Sequence, residues 1–403
     1  MVTGLGIVCA IGNNAEEVLL SLRQVRSGIV FIPKMKEFGF KCNVYGPVKD
    51  LERSLISKKS RKTMSDAALY AGIAAFEAIK DAGLAAEHLH SDRAGIIVGT
   101  GLGGLNHATR AEQMIAANTP LSRAGGVAPV KIMNSTASGN LASVLGVQGR
   151  SYSLSSACCT GGDNIGHAYE LLRFGILDVC ISGSSEEDSW EKVGASFDNS
   201  GEMPKDWNDR PSQACRPYDR DRQGFVLASG SGILILEELE HARRRGAKIY
   251  AEIIGYGTDN DGEDLFRPNG DGLKRSVIQA LKAAKEYGVD NIDYINTHGT
   301  GTQIGDKVEV EVIKSIFGAS PRVSSTKGLT GHALGASAAL EAVCALIMLD
   351  QNFVCPTANL ENIAPECMGV HHIQEVKEVF LETVMKINSG LGGTNTSLVF
   401  KKK

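Results

Sequence analysis

Ser155-Ser156-Ala157-Cys158-Cys159-Thr160-Gly161-Gly162-Asp163-Asn164-Ile165-Gly166-His167 is the stretch around which the rest of the chain is arranged. The alternating residues just before it, Ser151-Tyr152-Ser153-Leu154, predict a strand. After it, Ile165, Ala168, Leu171 and Leu172 share one face of a helix from Asn164 to Phe174, which Gly175 stops. Cys158 is therefore expected where a strand turns into a helix. The first amides of a helix have no intrahelical partner and its dipole is positive there. A thiol at that point is expected to release its proton more readily, and the thiolate is the nucleophile. Gly161 and Gly162 are expected to keep side chains out of the way of an approaching substrate. A cysteine in an apolar stretch usually packs as a small hydrophobe. Cys159 is read in that way, and only the wider pattern sets Cys158 apart.

Working outward, 403 residues are too many for one simple core, so two core units are expected. With 43% hydrophobic and 22% charged residues the composition is that of an ordinary globular protein. The 46 glycines exceed average usage, which suits tight strand-to-helix turns and close backbone approach to a ligand. A net charge of −4 gives no global sign of a nucleic-acid or membrane partner. The local exception is Lys58-Lys59-Ser60-Arg61-Lys62. Nine cysteines without a CxxC pair fit a reducing cytoplasm and argue against disulfides and structural zinc. Ala342 to Leu349 is among the longest clean apolar stretches, too short to span a bilayer. Met1-Val2-Thr3-Gly4 leads almost directly into a strand pattern, so no leader is expected.

Strand and helix patterns alternate along the chain. Residues 1–9, 94–98, 178–182 and 229–236 read as strands, and Ser65 is a good N-cap for an Ala-rich helix to about Asp81. From Ile249 the pattern starts afresh: strands at 249–256, 293–297, 322–325, 383–388 and 396–401, with helices at 273–287, 307–317 and 335–349. This alternation predicts an α/β fold with buried sheets in two halves, 1–245 carrying Cys158 and 246–403 carrying two notable histidines. Gly99, Gly101 and Gly104 match a dinucleotide fingerprint, but no acidic residue follows at the required distance, so that reading is set aside.

The two histidines are His298, in Asn296-Thr297-His298-Gly299-Thr300-Gly301-Thr302, and His332, in Lys327-Gly328-Leu329-Thr330-Gly331-His332-Ala333-Leu334-Gly335. Both sit in small-residue loops at element ends, where α/β proteins place ligands. One cysteine and two histidines admit several chemistries. A Cys–His hydrolase needs one imidazole as base and an amide to orient it. A zinc ion could take all three as ligands. A carbon–carbon condensing enzyme needs a thiolate to carry an acyl group and two neutral imidazole N–H donors aimed at a developing enolate. Spacing does not choose among them.

The motifs taken together resemble the β-ketoacyl-acyl carrier protein synthases of fatty-acid synthesis, most closely type I. The likeness covers essentially the whole chain. It includes Val2-Thr3-Gly4-Leu5-Gly6-Ile7-Val8, Ser155-Ser156-Ala157-Cys158, His298-Gly299-Thr300, Gly305-Asp306, Thr326-Lys327, Thr330-Gly331-His332 and Gly392-Gly393-Thr394-Asn395. It implies a thiolase-like fold of two similar halves stacked as α-β-α-β-α layers. It implies Cys158 as nucleophile and His298 and His332 as the donors that promote decarboxylation of malonyl-acyl carrier protein. Lys327 matches the family's lysine near the second histidine, and Glu309 the acidic residue that pairs with it. Thr300 and Thr302 match the threonines that bind the phosphopantetheine arm. The backbone amides of Cys158 and Leu391 match the oxyanion hole. Lys58, Lys59 and Lys62 fall where the family receives the acidic carrier protein. No cofactor and no metal are implied, because the substrates travel on the carrier protein. The family is dimeric, and a heterodimer with a ketosynthase-like subunit is the alternative.

Two competing members of the wider class are disfavoured. Catalytically poor partner subunits lack the cysteine that this chain has, and coenzyme A-dependent thiolases use a second cysteine in place of one histidine. One departure stands out: the family has Phe-Gly-Phe before the final glycines, whereas Ser389 and Leu391 stand here in place of both rings. An altered acyl pocket is the expectation.

Overall fold

The computed structural model describes residues 1–123 and 125–403. Its first strand, β1 (Val2–Cys9), is buried at every position. Leu5, Ile7 and Cys9 enter one apolar cluster and Val8 another, the period of two expected of a strand covered on both faces. The N-terminal half continues with α1 (Asp66–Asp81), β2 (Ala94–Gly99), α2 (Thr136–Leu145), β3 (Ser151–Tyr152), α3 (Thr160–Arg173), β4 (Val179–Glu186) and β5 (Gly230–Glu237). The C-terminal half repeats that order as β6 (Ala251–Asn260), α4 (Asp271–Lys285), β7 (Tyr294–Asn296), α5 (Gln303–Phe317), β8 (Arg322–Ser324) and α6 (Ser337–Gln351). It then adds the short β9 (His371–His372) before β10 (Thr383–Gly390) and β11 (Thr394–Lys402).

The strands lie in the order β9-β8-β7-β10-β11-β6-β1-β5-β4-β2-β3. In each half a parallel trio (β3, β2, β4 and β8, β7, β10) is followed by two antiparallel strands (β5, β1 and β11, β6). The halves meet edge to edge through one registered pair, Val2 with Ala251. α3 and α6 pack against each other between the two halves. α1 and α2 cover the outer face of the first sheet, and α4 and α5 that of the second. The result is the expected α-β-α-β-α stack. The 18 residues Leu334–Gln351 have mean hydropathy 1.4, enough by composition to cross a bilayer, but 89% of them are buried within the protein. An all-round apolar helix is here the central core element.

Ser65 caps α1 as predicted, its side chain accepting from the Ala68 amide. α3 and α5 begin a turn earlier than their apolar periodicity predicts, at Thr160 and Gln303. Their first turns carry small or acidic residues that serve packing and the site, so hydrophobic spacing is blind to them. Gly161 and Gly162 correct the sequence reading: they do not clear a path for substrate. A Cβ on Gly161 would lie 2.4 Å from the Ala339 nitrogen of α6, and one on Gly162 would lie 2.4 Å from Thr396 Cγ2. They are small because the two central helices and β11 press close.

Gly161→Ala should therefore lower stability although alanine favours a helix by about 1 kcal/mol. Overpacking against backbone costs about 1–3 kcal/mol, so the urea midpoint is expected to fall. An unchanged or higher midpoint would show that the helices can part freely.

Candidate active site

A short 3-10 turn, Ala157–Cys159, joins the segment after β3 to α3. Ala157 has φ 51°, the left-handed region that costs a non-glycine residue about 1–3 kcal/mol. Thr160 Oγ1 holds the turn, donating to the Ala157 carbonyl at 2.7 Å while accepting from the Ser156 amide at 2.9 Å. The second half repeats the device: Leu334, φ 45°, opens the turn Leu334–Ala336 into α6. The Ala157 turn presents Cys158 to a cavity of about 710 Å³ that His298, His332, Thr300, Thr302 and Ser389 also line.

The Cys158 sulfur and a nitrogen from each of His298 and His332 all lie within 4.8 Å of one another. The two rings meet edge to face at 5.3 Å, and Phe225 and His332 form a second T-shaped pair at 5.3 Å. His298 Nδ1 faces Asn388 Nδ2 at 3.0 Å and Lys327 Nζ at 3.5 Å. An ammonium and an amide NH₂ can only donate. Nδ1 must therefore accept, and the proton sits on Nε2. His332 Nδ1 lies 2.8 Å from the Ser337 hydroxyl, which can donate to it and leave the same tautomer. Burial, reinforced by the Lys327 ammonium, holds both imidazoles well below the usual histidine range. Both rings are thus neutral near pH 7, and His298 carries its proton on Nε2.

Two carboxylates one turn apart on α5 hold the loop that carries His298. Glu309 accepts from the His298 amide at 2.6 Å, the Gly299 amide at 2.8 Å and the Tyr218 hydroxyl at 2.6 Å. Asp306 accepts from the amides of Thr300 at 3.1 Å, Gly301 at 3.0 Å and Tyr218 at 2.7 Å. This corrects the expected pairing of Glu309 with Lys327. Lys327 instead meets Glu341 on α6, whose second oxygen takes Lys386 at 2.8 Å. Glu309 is consumed by the His298 and Gly299 amides and the Tyr218 hydroxyl, while Lys327, at the start of the short helix Lys327–Thr330, reaches the central helix. Burial alone would raise the Glu341 carboxyl, but Lys327 and Lys386 outweigh it and hold it below the usual range.

Glu341, Lys386, Asn388, Tyr218 and the loop-binding role of Asp306 were not singled out from sequence. The available signal was one carboxylate in a helix whose residues Ser337 to Leu349 are otherwise uncharged and all buried. A lysine inside the strand pattern of β10 was a second.

The other expected site residues fall in place more loosely. The hydroxyls of Thr300 and Thr302 lie 3.0 Å apart at the cavity wall. Ser389 Oγ donates to Asn395 Oδ1 at 2.7 Å. Leu391 is 43% exposed at the turn between β10 and β11, and its amide reaches the Cys158 sulfur. Lys58, Lys59 and Lys62 are exposed around the turn Ser60–Lys62 that precedes α1 and do not line the cavity. In the glycine run after β2, the amides of Gly101 and Leu102 donate to the Glu186 carboxylate at 2.9 and 3.2 Å, so those donors are already used.

The thiol departs from the expectation for a helix start. Burial pushes Cys158 up to about 11, against the opposing pull of Lys327 and the Leu391 amide. Near neutral pH the residue is therefore mostly a thiol. Cys159 is fully buried, its sulfur against the carbonyls of Asn388 at 3.4 Å and Thr394 at 3.3 Å. The same three cavity donors have the reach to hold a metal. Two ammoniums to one carboxylate, however, leave positive charge beside them, which opposes a cation.

With this geometry in hand, the chain's relatives can be placed. The β-ketoacyl synthase N-terminal domain matches residues 1–242 and the β-ketoacyl synthase C-terminal domain residues 250–361. The 3-oxoacyl-[acyl-carrier-protein] synthase 1 of Haemophilus influenzae is 43% identical, the alignment covering 100% of this chain and 98% of that one. The crystal structure of a β-ketoacyl synthase from Burkholderia phymatum superposes with TM-score 0.94 at 32% identity, over 100% of this chain and 98% of that one. The ishigamide ketosynthase/chain length factor superposes with TM-score 0.89 at 31% identity, again over 100% and 98%. The chain belongs to the β-ketoacyl synthase family, the C–C bond-forming acyltransferases of thiolase-like fold.

Iodoacetamide is expected to label Cys158 and to spare Cys159, faster as pH rises from 7 towards 10, because the thiolate fraction grows towards a value near 11. Peptide mass spectrometry of the wild type, Cys158→Ser and Cys159→Ser would show it. Labelling that persists at Cys159 in Cys158→Ser would reverse the assignment.

Proposed function

We propose that the enzyme joins an acyl group on Cys158 to malonyl-acyl carrier protein, yielding a 3-oxoacyl-acyl carrier protein two carbons longer, in fatty-acid elongation. The observation that carries the reading is one thiol and two neutral imidazole donors within 4.8 Å on a single cavity. A hydrolase would need one imidazole as base; a second, locked as a donor, suits a developing oxyanion.

The steps follow from these groups. Cys158 gives up its proton to solvent and attacks the acyl thioester as its thiolate, and the tetrahedral oxyanion meets the amides of Cys158 and Leu391. The carrier thiol leaves with a proton and the acyl group stays on sulfur. Malonyl-acyl carrier protein then enters. Its C–CO₂ bond breaks, CO₂ departs, and the electron pair moves onto the thioester oxygen as an enolate held by Nε2–H of His298 and His332. The enolate carbon attacks the acyl carbonyl, the new C–C bond forms, the C–S bond breaks, and the departing Cys158 thiolate takes up a proton from solvent. No cofactor enters this scheme. Thr300 and Thr302 would hold the phosphopantetheine arm.

Lys58, Lys59 and Lys62 would receive the acidic carrier protein; a local patch of exposed cations suffices to steer it. The working assembly would be a homodimer in the cytoplasm. The likeness to a ketosynthase/chain length factor favours as alternative an active subunit paired with such a partner in a specialised pathway.

Cys158→Ser should abolish acyl transfer, and His298→Ala or His332→Ala should slow condensation about 10²–10³-fold, the usual cost of losing one oxyanion donor. Mass-spectrometric analysis of products from acyl primers, malonyl-acyl carrier protein and enzyme checks this. Full turnover by either histidine variant would end the reading.

Ser389 and Leu391 leave the acyl pocket without two aromatic volumes beside the nucleophile. Single-turnover acylation with acyl-carrier proteins of increasing length should therefore give a length profile unlike that of an ordinary type I enzyme. Ser389→Phe with Leu391→Phe should move it towards that profile. Identical profiles for all three proteins would refute a gating role.

A further inference from the structure

Lys386 is fully buried on β10, and the scheme above does not use it. Its ammonium meets four oxygens: Glu341 Oε2 at 2.8 Å and the carbonyls of Ile387 at 2.8 Å, Thr297 at 3.1 Å and Asn296 at 3.3 Å. Two of those carbonyls belong to the residues immediately before His298. Burying an ammonium is costly unless it is paired and hydrogen-bonded, so packing alone does not explain a lysine here.

Two residues further along the same face of β10, Asn388 donates Nδ2 to Glu341 Oε2 at 3.3 Å and to His298 Nδ1 at 3.0 Å. Asn388 Oδ1 has no hydrogen-bond partner among the described residues. Nothing but Glu341 and His298 therefore decides which way its amide points. Were Glu341 to lose its charge or swing away, the amide could turn and present oxygen to Nδ1. That would move the histidine proton onto Nδ1 and leave Nε2 unable to donate.

We propose that Lys386 is a positioning residue: by anchoring Glu341 Oε2 and the carbonyls before His298, it fixes Asn388 and so locks His298 as an Nε2–H donor. This rests on the condensing reading of the site. The groups facing His298 are Lys327, Glu341 and Lys386 behind it, Glu309 beneath its backbone, and His332 and Cys158 on the cavity side. Lys327, Lys386 and Glu341 sum to one positive charge. That charge disfavours protonation of both imidazoles, and Lys386 supplies it. Burial lowers Lys386 to about 8, so its contribution is greatest below that pH.

The test compares the full-length wild type with Lys386→Met and Lys386→Gln, confirmed as folded by thermal melting. Condensation should slow about ten- to a hundredfold, the usual cost of losing a group that orients a functional histidine. The acid limb of the pH–rate profile should move to higher pH, since a lost cation lets the imidazoles protonate sooner. Histidine ¹⁵N NMR at pH 7 should show pure Nε2–H for His298 in the wild type and a mixture or imidazolium in the variants. Folded variants with wild-type rate, acid limb and tautomer would overturn the proposal. If the wild type makes no condensation product, the condensing reading fails, while the NMR titration still decides what Lys386 does to His298. Should both variants fail to fold, an Nδ1–H or charged His298 in the wild type at pH 7 overturns it, and a pure Nε2–H tautomer supports it.

Discussion

A single carboxylate in the apolar centre of the molecule sets the terms for everything around it. Glu341 sits on α6, buried among Ala, Leu, Val and Cys, and takes Lys327 on one oxygen and Lys386 on the other. A lone charge there would be prohibitively desolvated. Two ammoniums make it tolerable, and the trio in turn leaves positive charge beside two imidazoles that burial already keeps neutral. Well-packed hydrocarbon in place of a buried ion trio is often neutral or stabilising. What the trio provides is a defined tautomer and a defined charge at the cavity wall, both of which matter to chemistry rather than to folding.

The two halves use one architectural device for different ends. In each, a residue with positive φ opens a 3-10 turn into a central helix: Ala157 before α3 and Leu334 before α6. In the first half the next residue is Cys158. In the second it is Gly335, whose amide donates to Glu186 at 3.1 Å. The loops after β2 and β7 correspond in the same way. The first gives its amides to Glu186, while the second carries His298 and gives its amides to Glu309 and Asp306. A near-symmetric frame thereby brings Cys158 and the two imidazoles to one cavity from both halves. Val2 and Ala251 form the registered strand pair that joins those halves among the described residues.

Much of this was legible in the chain. The central strands β1, β4 and β5 are buried on both faces and read as mainly apolar runs. The loops around Cys158, His298 and His332 are built from small residues at element ends. Helix starts were read late because Gly161, Gly162, Gly305 and Asp306 carry no apolar period. The acid-base partners were misread for a different reason. Glu309 and Glu341 lie on different helices, and which one meets Lys327 depends on how α5 and α6 are rotated about their axes, which spacing does not encode. The thiol was misjudged because a helix start favours the thiolate locally, whereas burial beneath the β10–β11 turn disfavours it, and burial prevailed.

The sequence by itself determined the class of fold and marked the loops that carry Cys158, His298 and His332, because periodicity and turn chemistry are local properties written residue by residue. Only the tertiary structure decided that Lys327 and Lys386 share Glu341, that Asn388 fixes the His298 tautomer, and that Cys158 rests as a thiol. Those outcomes depend on desolvation and on contacts between residues tens to hundreds of positions apart, quantities that exist only once the layers have closed on one another.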